Sequence, residues 1–458
     1  MNNFMKKVDT RFGVSERGGT IGLEMIAGLT TFATMSYVLA VQPASIVGFG
    51  ASTLTDVNGV VISKEAIMIM CALVSGLITI LMGLYANFPF ALSCGMGTNF
   101  MFGAMIQTQQ ISFGGAMAIT LLTGILFVVL TACGVRDLIV RMIPKNLKIG
   151  IGISIGFFIA YLGFDNSGIG SFVDGISMGN YASPSVLLAL FGLFLIGMLE
   201  ARKVRGGILI GILVTTVIGL FVKEPNITGE LVSVTQVAQV VSVPSFDTVS
   251  SVLFQFDFGA IVSWAAIPLI FIVFCGDFFS TLGTVLGVAG RVNMLDEDGN
   301  LPGIEKPFMV DAIGTTVGSV CGCTTVTTFV ESATGVEAGG RTGLSSVVVG
   351  VLFLVSTFFA PLFTAIPNAA TGPALIYIGF LLMQGVKDLD FSDFTEWFGP
   401  LVMIMFTAFA GGISVGISIG ILAFVFIKLV TFRFKEVHVG MYFLSIPLIM
   451  YFVANALM

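Results

Sequence analysis

The chain has 458 residues, of which 56% are hydrophobic and only 10% charged, with a formal net charge of −6. Soluble domains carry roughly 25% charged residues, whereas here the runs 66–135, 342–386 and 397–427 hold no Asp, Glu, Lys or Arg. About 20 apolar residues cross a bilayer, so the composition predicts an all-α polytopic membrane protein; it excludes a β-barrel, which alternates apolar and polar residues, and offers no basic stripe for nucleic acid.

Lys6, Lys7, Arg11 and Arg17 precede the first apolar segment, 21–47. That segment is too long for a signal peptide and reads as a retained span. Further apolar segments fall at 66–86, 89–107, 114–134, 147–164, 184–199, 206–222, 258–288, 307–322, 323–339, 343–365, 372–386, 398–431 and 439–457. The count is fourteen, with 398–431 open between one span and two short ones broken at Gly411-Gly412. The place of 439–457 stays open with it. Lys and Arg favour cytoplasmic loops. The N-terminus and the loops 135–148 (Arg136, Arg141, Lys145, Lys148) and 200–205 (Arg202, Lys203, Arg205) are therefore expected inside, with the tail charges Lys428, Arg433 and Lys435. Loop 223–257 sets Lys223 against Glu224, Glu230, Asp247 and Asp257 and is expected outside. Seven spans then end on the far side, so two seven-span halves have opposite topology, a 7+7 inverted repeat.

Segments 89–107 and 323–339 occupy corresponding positions in the halves, and both are short and interrupted by Gly and small polar residues. Such pairs point to the central site of a transporter. "NFPFALSCGMGTNFMFG" (87–103) and "VTTFVES" (326–332) each predict a short extended stretch followed by a half-helix. Non-helical backbone at that depth needs protein or a cavity beside it, and Gly95 and Gly97 let backbone approach a ligand. Asn99 and Glu331 are expected near the two half-helix starts, facing one midplane cavity.

Asp277, in "FIVFCGDFFSTLGTVLGVAG" (271–290), lies fourteen residues before Arg291 and is placed deep in the bilayer. A mid-membrane charge costs about 2.5–3.5 kcal/mol on insertion scales, and Asn or Gln would serve a structural hydrogen bond at lower cost. A substrate or ion role is expected for Asp277 and Glu331, against the structural alternative. Gly152 and Gly156, and Gly412, Gly416 and Gly420, have the spacing of close helix contacts. The six cysteines read as small core residues, and Cys321-x-Cys323 lacks metal-site spacing. No metal or cofactor site is expected, and the single His438 supports no histidine-based catalysis.

"AGLTTFATMSYVLAVQPA" (27–44), "PFALSCGMGTN" (89–99), "IPKNLKIGIGISIGFFIAYLG" (143–163), "DFFSTLGTVLGVAG" (277–290) and "TTVTTFVESATGVEAGGRTGL" (324–344) are similar, nearly end to end, to AzgA-like purine permeases of the nucleobase–ascorbate transporter superfamily. The third-span motif departs from the family's Ala-Pro-Gly-Met-Gly-Leu-Asn-Ala, reading Ser93 to Phe100, and Gln42 replaces the usual Asn before Pro43. The resemblance implies a cytoplasmic segment 1–20, a core of spans 1–4 (21–134) and 8–11 (258–365), an extracellular loop 223–257, and a gate of spans 5–7 (135–222) and 12–14 (366–458). It implies that Asn99, Asp277 and Glu331 match the family's polar binding residues in spans 3, 8 and 10. Gly97, Phe100 and Phe329 are candidates beside them, the rings for packing on a base, with Phe100 narrowing the pocket.

The expected function is uptake of a purine base (adenine, guanine or hypoxanthine) by alternating access in the cell membrane. A proton is expected as the coupled ion ahead of sodium, through Asp277 or Glu331 with Glu337 in reserve. A homodimer is a family-level expectation. A carboxylate accepts two N–H bonds and an amide both donates and accepts, which suits a purine edge. The alternative is an anion channel or exchanger on the same scaffold, which two acids near the site disfavour by repulsion. A membrane-embedded enzyme would need a nucleophile–base pair or a metal cluster, and neither is visible.

Overall fold

The structure, a computed structural model, describes all residues except 1–2, 135–143, 172–176, 205, 226–229, 238, 263–265, 291–293, 295–300, 410–412 and 458. Arg136, Arg141, Arg205, Arg291 and the Gly411-Gly412 break therefore lie outside the described residues, as does the side chain of Cys275.

Each predicted apolar segment carries helix. In chain order the main helices are α1 (Asn3–Phe12), α2 (Ile21–Met35), α3 (Val38–Val47), α4 (Lys64–Leu81), α5 (Met96–Gln107), α6 (Phe113–Ala132), α7 (Lys145–Asn166), α8 (Pro184–Ala201) and α9 (Gly207–Gly219). Then come α10 (Ala266–Gly290), α11 (Glu305–Val320), α12 (Ser332–Glu337), α13 (Gly343–Ser356), α14 (Asn368–Met383), α15 (Phe394–Phe409), α16 (Ile413–Val430) and α17 (Val439–Leu457). Among the described residues, eight helical stretches are long and apolar enough to cross a membrane, and three more apolar helices are shorter. Segment 398–431 is two helices, α15 and α16, packed on each other. Starts are set by side chains that accept otherwise unpaired N–H groups: Ser112 from Gly115 at 3.0 Å and Thr342 from Leu344 at 3.3 Å. Large apolar side chains stay exposed on many helices, among them Phe194, Phe409 and Phe443, as lipid-facing surfaces require.

The helices approach closely at paired glycines. Between α4 and α13, a Cβ at Gly350 would lie 2.6 Å from the Gly76 carbonyl, and just past α4 one at Gly343 would lie 2.1 Å from the carbonyl of Gly83. On α7 and α14, Gly156 meets Gly379 and Gly163 meets Gly372, each carbonyl 2.8 Å from the added Cβ. The expected partner of Gly156 is thus corrected: Gly152 has nothing within 4 Å, and the contact recurs two turns on, at Gly163. Gly416 and Gly420 do pack, on Thr407 and Met403 of α15, whereas Gly412 lies outside the described residues. The cysteines also divide. Cys71, Cys94 and Cys323 are buried, but Cys133 is exposed where α6 ends and is no core residue.

At the foot of α15–α17, fully buried Lys428 donates to Glu396 at 2.5 Å and Glu436 at 2.7 Å. Arg433 pairs with Glu436 at 2.8 Å and with Asp393. The Arg433 hydrogen bond, helped by the Thr395 backbone N–H, holds the Asp393 carboxyl down at about 2. A carboxyl depressed on folding stabilises the fold above its unfolded value, near 3.9, and loses that contribution as pH falls through its folded value. Melting temperature should therefore drop faster for the wild type than for Asp393→Asn between pH 4.5 and pH 2, the steeper part lying below about pH 4. Parallel pH profiles would remove the pair from the stability account.

Candidate functional site

The site is built on two short strands about 230 residues apart in sequence, β3 (Leu92–Cys94) and β8 (Val326–Thr328), the third and eighth strands among the described residues. They pair antiparallel, Leu92 opposite Thr328, Ser93 opposite Thr327 and Cys94 opposite Val326. All six residues are buried, so every backbone group needs a protein partner. The pairing extends at both ends, Gly95 N–H donating to Thr325 O at 2.7 Å and Phe329 N–H to Ala91 O at 2.9 Å. Side chains complete the edges. The Thr79 hydroxyl accepts from Leu92 N–H at 3.0 Å, that of Ser332 from Ala91 N–H at 3.0 Å, and that of Thr315 from Val326 N–H at 3.0 Å. This explains the run of threonines: β-branched residues suit a strand, and hydroxyls satisfy it without a charge.

Helix α5 leaves β3 through Gly95, and α12 follows β8, with Glu331 at its N-terminal boundary. Asn99 is fully buried in the first turns of α5; its side-chain oxygen accepts from Thr324, and its Nδ2 has no partner. Thr98 meets Thr325 at 2.6 Å, fastening α5 to the head of β8. Gly97 faces away from this group: a Cβ there would meet Ile155 of α7 at 3.2 Å. Phe100 and Phe329 are buried, Phe329 at the end of β8. Glu331 is half-buried, and Tyr37, in the break between α2 and α3, donates its hydroxyl to Glu331 Oε1 at 2.9 Å.

Asp277 is buried in the middle of α10, which edge and tilted ring contacts of Phe274 and Phe278 with Phe127, and of Phe278 with Phe308, hold against α6 and α11. Its Oδ2 accepts from Thr315 at 2.8 Å, and its Oδ1 has no partner. Asp311 on α11 belongs to the same network. Its Oδ1 accepts from Thr281 at 2.6 Å and from Thr328 N–H at 3.2 Å, leaving Oδ2 unpartnered. Thr281 in turn meets Thr327 at 2.7 Å. Two acids thus sit behind β8, each accepting from a threonine on the other's helix.

The expected residues are gathered around one strand pair but make separate contacts: Asn99 with Thr324, Glu331 with Tyr37, and Asp277 with Thr315 beside Asp311. Asp277 is joined in burial by Asp311 and Glu24. Glu337, the reserve coupling acid, is exposed at the end of α12. Asp311 was missed because it follows Glu305 and Lys306 by less than two turns and passes for a flanking charge. Among the described residues, no group of three or more His, Cys, Asp or Glu is placed to hold a metal ion.

A family model described as "Permease family" matches residues 22–417. The chain is 32% identical to the guanine/hypoxanthine permease GhxP of Escherichia coli O157:H7, over 97% of this chain and 96% of that protein. It is 31% identical to the adenine permease AdeQ of Escherichia coli K12, over 93% and 92% respectively. In fold it is similar to the transmembrane domain of a cyanobacterial bicarbonate transporter, BicA, with a TM-score of 0.59 at 13% identity, covering 87% of this chain and 97% of that one.

Proposed function

Since the chain belongs to this permease family, we propose that it imports a purine nucleobase across the cell membrane by alternating access with proton symport. The relatives that carry guanine, hypoxanthine or adenine in their names support that substrate class. The observation that carries the reading at the level of residues is the β3–β8 pair, which ties the interrupted segments of both halves together and sets Asn99 and Glu331 beside it. In this reading Glu331 accepts N–H groups of the base and Asn99 contributes an amide. Phe100 or Phe329 covers a ring face, and Asp277 takes up and releases the proton.

The same reading makes the fold a 7+7 inverted repeat with a cytoplasmic N-terminus. Spans 1–4 and 8–11 form the core, and spans 5–7 and 12–14 the gate, in a homodimer. Gly97 against Ile155 is then a sliding contact of core on gate. Anion exchange is the competing reading, because one similar solved structure is a bicarbonate transporter; that likeness carries fold alone, and three acids border the strand pair. Accumulation of radiolabelled bases by proteoliposomes under a pH gradient tests the proposal. Concentrative uptake of a neutral base supports it, and bicarbonate flux without base uptake overturns it.

Asn99→Ala should weaken base binding while leaving the protein in the membrane. Losing one buried polar partner is worth about 1–3 kcal/mol, or roughly 5- to 150-fold in affinity. Competition of unlabelled bases against labelled uptake measures this, and an unchanged half-saturation would take Asn99 off the contact surface.

A further inference from the structure

The basic residues ahead of the first span take no part in the site around β3 and β8. Lys6, Lys7 and Arg11 lie on α1, and with Thr10 they line an open concavity of about 580 Å3. Three or four residues apart, they share one helical face. All four are exposed, whereas Phe12 and Val14 are buried. Among the described residues neither lysine makes an ion pair. Asp9, the acid of this helix, is turned back on the chain that follows: its carboxylate accepts from the Ser15 N–H and hydroxyl, each at 2.8 Å. The face is cationic and uncompensated.

The neighbouring spans fix the level at which this face stands. Arg11 Nη2 donates to the carbonyl of Leu84 at 2.7 Å, in the last turn of the span Lys64–Ala86. Leu84 and Tyr85 are exposed there, as are Leu23, Met25 and Ile26 where the span Ile21–Val47 starts. These side chains continue the lipid-facing surface of the spans, and an exposed Tyr at a span end belongs at the headgroup level. Lys6, Lys7 and Arg11 therefore stand beside phospholipid phosphates.

Residues 12–17 tie the same helix to the scaffold of the site. Asn87, which leads into the first interrupted segment, donates Nδ2 to Phe12 O at 2.9 Å and accepts at Oδ1 from Gly343 N–H at 2.9 Å. Arg17 donates to Asn87 O at 2.9 Å and to Arg341 O at 3.1 Å. One guanidinium thus joins the chain entering β3 to the loop that follows α12.

We propose that α1 docks through Lys6, Lys7 and Arg11 on the headgroups of anionic phospholipids, and that Arg17 passes this hold to the ends of both interrupted segments. A helix of 10 residues is marginal in water, so its order depends on what it rests on. Each basic residue held at an anionic membrane surface is worth about fivefold in binding. The inference makes no use of the transported substrate.

Amide hydrogen exchange of the full chain tests it, in nanodiscs of phosphatidylcholine with and without phosphatidylglycerol. Residues 3–12 are expected to exchange about tenfold more slowly, or slower still, in the anionic discs. The double variant Lys6→Gln, Lys7→Gln should keep about fivefold of that slowing at most, and Lys6→Arg, Lys7→Arg should keep all of it. Equal exchange of the wild type in both lipids overturns the docking, and so does full slowing in the Gln variant or its loss in the Arg variant. Inorganic phosphate added to the phosphatidylcholine discs should change nothing; slowing by phosphate alone assigns the face to a soluble anion and overturns the lipid assignment. Residues 87–91 and 339–343 should slow together with α1 in the wild type, whereas in Arg17→Gln only α1 should slow. If these two segments stay unchanged in the wild type, or still slow in Arg17→Gln, Arg17 is not the carrier.

Discussion

Glu331→Gln is expected to abolish uptake, or to leave a small residue of it, with the protein still folded in the membrane. The side chain starts from a defined geometry: Tyr37 holds one carboxylate oxygen at 2.9 Å, and the residue is half-buried at the end of β8. A Gln oxygen can keep the Tyr37 bond, so the local scaffold survives. What is lost is the second acceptor, replaced by an NH2 group that opposes the N–H of a base. A hydrogen bond to a charged group is worth about 1.5–3 kcal/mol, and the substitution removes it while adding a donor–donor clash. Affinity should fall by about 10- to 150-fold from the lost bond alone. Tyr37→Phe provides the control, since it unties the carboxylate without removing it and should cost less. Near wild-type rate and half-saturation in Glu331→Gln would end the assignment of this residue to the base.

The helices were legible because lipid tolerates few charges, so charge-free runs mark them directly, and the two interrupted segments were legible because Gly and small polar residues have no other business at that depth. Their pairing was not. Nothing local in "ALSC" or "VTT" names its partner, and the antiparallel register of Leu92 with Thr328 is a long-range fact. The division of 398–431 into α15 and α16 stayed open in the sequence, and Lys428, one of the tail charges, proves to be held by Glu396 and Glu436. Asp277 and Glu331 stood out as acids in apolar runs, whereas Asp311 was masked by its charged neighbours. The threonines were the least legible. Thr281, Thr315 and Thr324 look like β-branched filler, yet they carry hydrogen bonds of Asp311, Asp277 and Asn99.

Asp277→Asn is expected to separate exchange from accumulation. Asp277 and Asp311 are buried on neighbouring helices, each accepting from a threonine of the other's helix and each with one oxygen unmatched among the described residues. In such a setting charges interact far more strongly than in water, so one proton gained or lost alters the balance between conformations that expose the site to either side. Asn matches the protonated acid in shape, accepts from Thr315 as before, and cannot release a proton. A carrier fixed in that form still cycles with base bound, so counterflow between equal base pools should persist at a rate within about tenfold of wild type, a change of roughly 1.4 kcal/mol in barrier. Accumulation driven by a pH gradient should vanish, because no proton is delivered on the far side. Both measurements are made in the same vesicles, so differences in reconstitution cancel. Surviving gradient-driven accumulation would clear Asp277 and pass the role to Asp311, whose own Asn variant would then show the split. Loss of both activities would make Asp277 a ligand or a structural partner of α11, and Asp277→Glu distinguishes these: a ligand displaced by one methylene changes half-saturation, whereas a broken α10–α11 contact lowers the melting temperature.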